Sequence, residues 1–332
     1  MPFRRDEILF LLGAGASVDA GIPATGGMID ELERLLGCQE EWRQYSTLYF
    51  YLKSAIRFAE GIKGKFVTSD NIEKIINTLE DLRKGDDHPL YPFIGAWNPR
   101  LTEVTKNNTQ MLGELRTLIL RQLRDHWVQP EDYNRAKYFQ GLMRFAEEYQ
   151  HPLRVFTLNY DLCVERTCAD IGIERGFDER RLWQWRNFDD DRENDSGIFL
   201  LKLHGSIDWT RDSAGRITYS DSPSRIEPEN LSIIFGTTYK LQYVDPFLFF
   251  AYELRKRTLS DARLIVTVGY GFGDEHINGI LSQSLRADDS RKLLAITGLN
   301  STTEKCAKSI TSALTLGNSD QIVCWGQSAK EF

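Results

Sequence analysis

The residues with the most chemical potential stand in four short clusters, each directly after an apolar run. Gly13-Ala14-Gly15-Ala16-Ser17-Val18-Asp19-Ala20-Gly21-Ile22-Pro23 follows Ile8–Leu12. Small residues there let backbone N–H groups close on a pyrophosphate, and a helix starting in the loop favours the negative charge. Val18 occupies the third glycine position of a G-x-G-x-x-G pattern, so the loop reads equally as a tight structural turn. Gly269-Tyr270-Gly271-Phe272-Gly273-Asp274-Glu275 follows Leu264–Val268. Asp274 suits the N-cap of the next helix. Two carboxylates at a helix start repel phosphate, which makes ribose hydroxyls the expected contact; a capped turn without ligand is the equal alternative.

Thr157-Leu158-Asn159-Tyr160-Asp161 and Lys202-Leu203-His204-Gly205-Ser206 end two further apolar runs. Polar residues at the C-terminal ends of parallel strands project into the crevice where α/β proteins bind ligands. Asn159 and Asp161 also fit as caps for a helix beginning near Leu162, and a lone histidine is ordinarily a hydrogen-bonded core residue. Four such turns at strand ends weigh more than any one of them. His276 reads as a packing residue in a first helical turn, and His88, His126 and His151 lack supporting context.

The elements that must position these clusters follow from the apolar pattern. Strand-like runs occur at Ile8–Leu12, Leu153–Leu158, Phe199–Leu203, Leu231–Phe235, Leu264–Val268, Lys292–Ile296 and Gln321–Trp325. Several are continuous rather than alternating, as in parallel strands buried on both faces. Helix-period segments at Leu162–Asp170, Pro246–Leu259, Glu275–Arg286 and Thr302–Ala313 separate the later runs. This alternation predicts a doubly wound, mostly parallel, Rossmann-like α/β sheet over residues 1–27 and 151–332.

Residues 28–150 differ. Amphipathic helix candidates at Leu48–Ile62, Asn71–Lys84, Gln110–Trp127 and Tyr133–Tyr149 follow one another without a strand, which predicts a helical insertion over the sheet. The aromatic stretch Tyr45–Tyr51 reads as the buried face of an insertion helix. Trp183–Ser196, with its Asp189-Asp190-Asp191 run, reads as a solvated loop.

Composition narrows the function classes. Over 332 residues, 41% apolar and 27% charged residues describe an ordinary globular chain. The formal charge of −7 argues against a broad nucleic-acid or anionic-membrane surface. Arg4 and Arg5 before Ile8–Leu12 imitate a signal peptide, but Asp6 and Glu7 intervene and the apolar stretch is short. The five cysteines form no C-x-x-C pair, which predicts neither a disulfide framework nor a zinc knot and implies a reduced, cytoplasmic setting.

In this order the motifs resemble the sirtuin family, and specifically its bacterial branch of NAD-hydrolysing effectors of anti-phage defence. The resemblance rests on Gly13-Ala14-Gly15-Ala16-Ser17 with Gly21-Ile22-Pro23, Thr157-x-Asn159-x-Asp161, Leu203-His204-Gly205-Ser206, Ile233-Ile234-Phe235-Gly236 and Gly269-Tyr270-Gly271. It implies that Gly13, Ala14, Gly15 and Ala16 face the pyrophosphate of NAD. Asn159 would contact the nicotinamide ribose, Asp161 the carboxamide, and His204 would act as general base. Ser17, Ile22, Pro23, Thr157, Gly269 and Gly271 would complete the NAD site, with Asn300 and Trp325-Gly326 on its adenosine side.

The departures shift the expected reaction. Sirtuin deacylases carry C-x-x-C zinc pairs after His-Gly-Ser, where this chain has Ile207-Asp208-Trp209-Thr210-Arg211. They have Asp-Phe-Arg after Gly-Ile-Pro, where this chain has Ala24-Thr25-Gly26, and a glutamine where this chain has Leu158. No zinc is therefore expected. NAD glycohydrolysis, with NAD as substrate, is preferred over NAD-dependent deacylation or non-catalytic NAD or ADP-ribose sensing. Because the chain ends soon after its last predicted strand, no fused sensor domain is expected. Relatives of that kind act as homo-oligomers with a separate activating partner, such as a HerA-like ATPase or a short Argonaute-type protein, and neither membrane nor direct nucleic-acid binding is expected.

Overall fold

A computed structural model describes residues 3–64, 70–83, 99–189, 197–235, 245–298 and 303–332. The chain divides into two compact units, residues 1–22 with 128–332, and residues 23–127.

The first unit is built on a seven-stranded sheet. Its strands are β1 (Ile8–Leu12), β2 (Leu153–Thr157), β3 (Ile173–Glu174), β4 (Ile198–Lys202), β8 (Leu264–Val268), β9 (Lys292–Thr297) and β10 (Ile322–Gly326). They lie in the order β10-β9-β8-β1-β2-β4-β3, and every neighbouring pair is parallel. The central strands β1, β2 and β4 are buried along their whole length, which is why they read as unbroken apolar runs.

Alternate residues of β1 feed two separate cores. Leu9 and Leu11 join Phe156, Phe199, Phe250, Leu254, Ile277 and Leu281 on one face. Ile8, Phe10 and Leu12 join Val155, Leu200, Ala16, Ala20, Phe139 and Leu142 on the other. The helices Phe247–Ser260, Glu275–Ala287 and Thr303–Ala313 supply the first core. The helical turns Ala14–Ala20, Tyr133–Gln140, Gly141–Tyr149 and Cys163–Thr167 supply the second. Segment 133–149, which periodicity groups with the insertion, thus lies in the sheet-bearing unit.

At the N-terminal end of the sheet, buried Asp6 accepts from Arg154 Nε at 2.7 Å and from Arg257 Nη1 at 3.0 Å. One carboxylate thereby ties the entry to β1, strand β2 and the helix Phe247–Ser260 together.

A second, antiparallel sheet of β5 (Gly205–Arg211), β6 (Ile217–Tyr219) and β7 (Leu231–Ile233) has the order β6-β5-β7. Leu231–Phe235 therefore contributes to this small sheet and not to the parallel one. The solvated-loop reading of Trp183–Ser196 is corrected for its described part. Trp183 packs edge-on to Phe177 and Phe250, and Phe188 is buried against Phe199 and Phe249. Aromatic rings drew this segment inward despite its flanking acids; Asp190 and Asp191 lie outside the described residues.

The second unit is helical throughout its described residues: Thr25–Cys38, Glu40–Arg43, Ser46–Ile62, Ile72–Arg83, Pro99–Val104 and Gln110–Gln122, which runs into a π-helical turn at Leu123–Trp127. Its core includes Leu32, Leu36, Trp42, Leu48, Tyr49, Ile76, Leu79, Leu115 and Ile119. Tyr45 and Tyr49 are buried, with hydroxyls donating to Glu114 and Glu33, whereas Phe50 is exposed. Among the described residues no helix is long and apolar enough to cross a membrane.

Candidate functional site

All four clusters lie at the C-terminal ends of strands that are consecutive in the sheet, β8-β1-β2-β4. From β1 the chain first builds outward through β2 and β4, then returns to the other side of β1 with β8. Strand ends beside such a reversal open a crevice, because the loops leave in opposite directions.

The loops after β1 and β8 meet backbone to backbone. Gly13 N–H donates to Val268 O and Gly15 N–H to Gly269 O, both at 2.9 Å. A Cβ on Gly13 would stand 2.7 Å from Gly269 O, and one on Gly15 2.8 Å from Gly269 Cα. Gly269 has φ +61°, and a Cβ there would reach 2.1 Å from Ala16 N. These three glycines are thus required by loop-to-loop packing. The N–H groups of Gly13, Gly15 and Ala16, expected to close on a pyrophosphate, are engaged inside the protein, Ala16 with Gly13 O at 2.9 Å. That of Ala14 makes no backbone bond among the described residues.

Gly271 is different. It is exposed, and a Cβ added to it would meet nothing within 4 Å. Neither strain nor packing accounts for glycine at this position.

The loop after β2 is tied to the loop after β1. Asn159 Nδ2 donates to Gly13 O at 3.0 Å and to Ser17 Oγ at 3.1 Å, while Asn159 N–H donates to Thr157 Oγ1 at 3.1 Å. Among the described residues Asn159 Oδ1 accepts no hydrogen bond, and the side chain is half-buried. Asp161 is buried with both oxygens in use: Oδ2 accepts from Ser17 Oγ at 2.7 Å, and Oδ1 accepts from Cys163 N–H, the first of Cys163–Thr167, at 2.9 Å. Burial, reinforced by this carboxylate, pushes the Cys163 thiol well above its usual range, so it stays neutral. Asp161 thus meets the start of the helix expected near Leu162, although Leu162 itself is the N-cap. The link of Asp161 to Ser17 also fixes the loop carrying Asn159.

Lys202, at the end of β4, stands in the sequence only as a neighbour of His204. It is 1% exposed, its ammonium donates to the Asp161 carbonyl, and it pairs with Glu165 Oε1 at 2.9 Å. A charge inside an otherwise apolar strand was the available signal.

His204 stands in the turn between β4 and β5, only 5% exposed. Gly205 beside it has φ +84°, where a Cβ would strike Ser232 O at 2.2 Å. His204 O accepts from Ile234 N–H at 2.9 Å, and the Tyr160 hydroxyl holds Ile234 O at 3.0 Å. Nε2 lies 3.3 Å from Asp274 Oδ2, at an angle that makes no hydrogen bond. Asp274 is the N-cap of Glu275–Ala287, as its type and position predicted. Of the two carboxylates expected near a ribose, Asp274 is buried and faces His204, while Glu275 is exposed.

Beside this geometry stands one similarity to a known family. Residues 153–313 match the model of a SIR2-like domain. The match supports the sirtuin resemblance and, with it, NAD-related enzymatic chemistry. None of the curated proteins matches the chain. The matched SIR2-like span carries Asn159, Asp161, His204 and the Gly269 loop; the Gly13 loop precedes it.

The remaining expected residues are placed as follows. Thr157 is buried at the end of β2, and buried Ile22 donates its N–H to Ser17 O at 3.3 Å. Pro23 opens the helical unit. Trp325 is exposed on the edge strand β10, and Asn300 lies outside the described residues. Among those residues no group of three His, Cys, Asp or Glu side chains is placed to hold a metal ion.

Proposed function

We propose that the protein is an NAD glycohydrolase, cleaving NAD to nicotinamide and ADP-ribose. The observation that carries this reading is the gathering of Asn159 and His204 at neighbouring strand ends within the span that matches a SIR2-like domain. The uncommitted Oδ1 of Asn159 suits a ribose hydroxyl, while its Nδ2 bonds to Gly13 O and Ser17 Oγ hold the amide in place. The free edge at Gly271 suits close approach of a dinucleotide to backbone.

Nicotinamide is cationic on NAD and leaves neutral, taking the C1′–N electron pair, so no general acid is needed. The site must orient the sugar, stabilise an oxocarbenium-like centre and remove a proton. Water oxygen bonds to C1′ as the C1′–N bond breaks, and the water proton passes to His204.

Purified protein incubated with NAD should release nicotinamide and ADP-ribose in equal amounts, resolved by chromatography. The assay is run alone and with proteins encoded beside it, with and without acetylated peptide. NAD loss only with peptide would favour a deacylase; tight binding without turnover under every condition would favour a sensor. Gly271→Ala should melt like the parent protein while KM for NAD rises about tenfold, the effect of one methyl group in a fitted contact. An unchanged KM would remove Gly271 from the site.

The biological setting we propose follows from the resemblance. NAD depletion would serve as a cytoplasmic abortive-infection response to phage, in a homo-oligomer kept silent until a partner such as a HerA-like ATPase or a short Argonaute-type protein activates it.

A further inference from the structure

Asp274 does more than cap a helix. His204 and Asp274 belong to loops after β4 and β8, three positions apart in the sheet, a span of about 14 Å between strands. Their side chains nevertheless meet at 3.3 Å, so they reach toward each other across the ends of β1 and β2. The contact closes the circuit of loops around the crevice. Both side chains are buried, His204 at 5% and Asp274 at 6% exposure.

The carboxylate is held from its other side. Asp274 Oδ1 accepts from His276 N–H at 3.0 Å and Ile277 N–H at 3.3 Å, which turns Oδ2 to the imidazole. Two backbone donors at the helix start thus fix the orientation of the carboxylate. The loop itself is pinned, since Tyr270 donates to Asn278 Oδ1 at 2.8 Å and Asn278 Nδ2 to Phe272 O at 2.8 Å. On the opposite side the turn of His204 is fixed by Ile234 N–H. Two anchored backbones thus present a buried acceptor to a buried ring nitrogen that has no hydrogen-bond partner among the described residues.

We propose that Asp274 is a positioning residue for His204, holding the imidazole with Nε2–H turned to its carboxylate so that Nδ1 is the nitrogen that accepts the proton. A neutral imidazole has one donor and one acceptor nitrogen, so fixing one fixes the other. Catalytic hydrogen bonds of this kind are commonly long and misaligned without substrate and tighten when it binds. The inference rests on the reading of His204 as general base.

Asp274→Ser separates positioning from capping, because serine caps the helix but is too short to reach His204. The protein is labelled with 15N-histidine, and His204 is assigned by comparison with His204→Gln. With ADP-ribose bound, the protein should show a downfield, slowly exchanging Nε2–H resonance of His204 that disappears in Asp274→Ser. The same variant should lose roughly 10- to 100-fold in kcat with KM for NAD nearly unchanged, part of a general base's whole contribution. Absence of the resonance from the parent protein, or its survival in Asp274→Ser, overturns the pairing. Its loss with kcat unchanged overturns the positioning role. If the resonance behaves as expected but His204→Gln hydrolyses NAD at the parent rate, the pairing stands and the glycohydrolase reading fails.

Discussion

His204→Ala should slow NAD hydrolysis by about 10²- to 10⁴-fold, the usual contribution of a positioned general base. The ring is buried, yet its loss should leave the fold standing. The turn is fixed by its own backbone, through His204 O and the left-handed Gly205, and not by the imidazole. Asn159→Ala should lose activity to a similar extent for a different reason. It removes the amide proposed to orient the sugar and also two hydrogen bonds, to Gly13 O and Ser17 Oγ. Gly13 O keeps Ala16 N–H and Ser17 Oγ keeps Asp161, so no buried group is orphaned and the stability loss should be about 1 kcal/mol. Activity and melting are measured on both variants. Turnover at the parent rate in both, with normal folding, would refute the assignment of these residues.

The fold was legible where burial leaves its mark in one dimension. β1, β2 and β4 are covered on both faces, so their apolar runs are unbroken and their boundaries fall within a residue of the expected ones. β5 was missed because only Ile207 and Trp209 of its length are large and apolar, between Ser206, Asp208 and Thr210. Such alternation over a short span is easily taken for loop. Trp183 and Phe188 are hidden for the opposite reason: they stand in a charged stretch that runs into Asp189, and the rings they join come from β4 and the helix Phe247–Ser260.

For the site, chain order showed which turns end strands and therefore which polar residues share a crevice. It did not show how those turns touch. Asp274 carries a cap signature that was read correctly, while its second oxygen serves a histidine from another strand, a contact that only the folded chain creates. The same is true of Ser17, whose hydroxyl bridges Asn159 and Asp161. Glycine was the most ambiguous letter. Gly13, Gly15, Gly269 and Gly271 look alike in sequence, but only Gly271 has room for a side chain.

That difference carries the second large expectation. Gly269→Ala should cost about 3 kcal/mol or more, because it combines a left-handed backbone with an overpacked contact. Its Cβ would lie 2.1 Å from Ala16 N and 2.2 Å from Gly15 C, both main-chain atoms in a loop held at its base by Gly13 N–H to Val268 O. A flexible side chain can move aside from such an intrusion; a hydrogen-bonded backbone cannot without parting β1 from β8. Thermal unfolding followed by circular dichroism should show a midpoint lowered by roughly 6–12 °C, taking about 2–4 °C per kcal/mol for a unit of this size. Gly271→Ala, two residues along the same loop, should melt with the parent protein. Were Gly269→Ala equally stable, the two loops could not meet as described, and their glycines would have to be explained by a ligand instead. If the expected contrast holds, Gly13, Gly15 and Gly269 act as the weld between the loops after β1 and β8, which leaves the side chains around them and the open edge at Gly271 as the groups proposed to meet a dinucleotide.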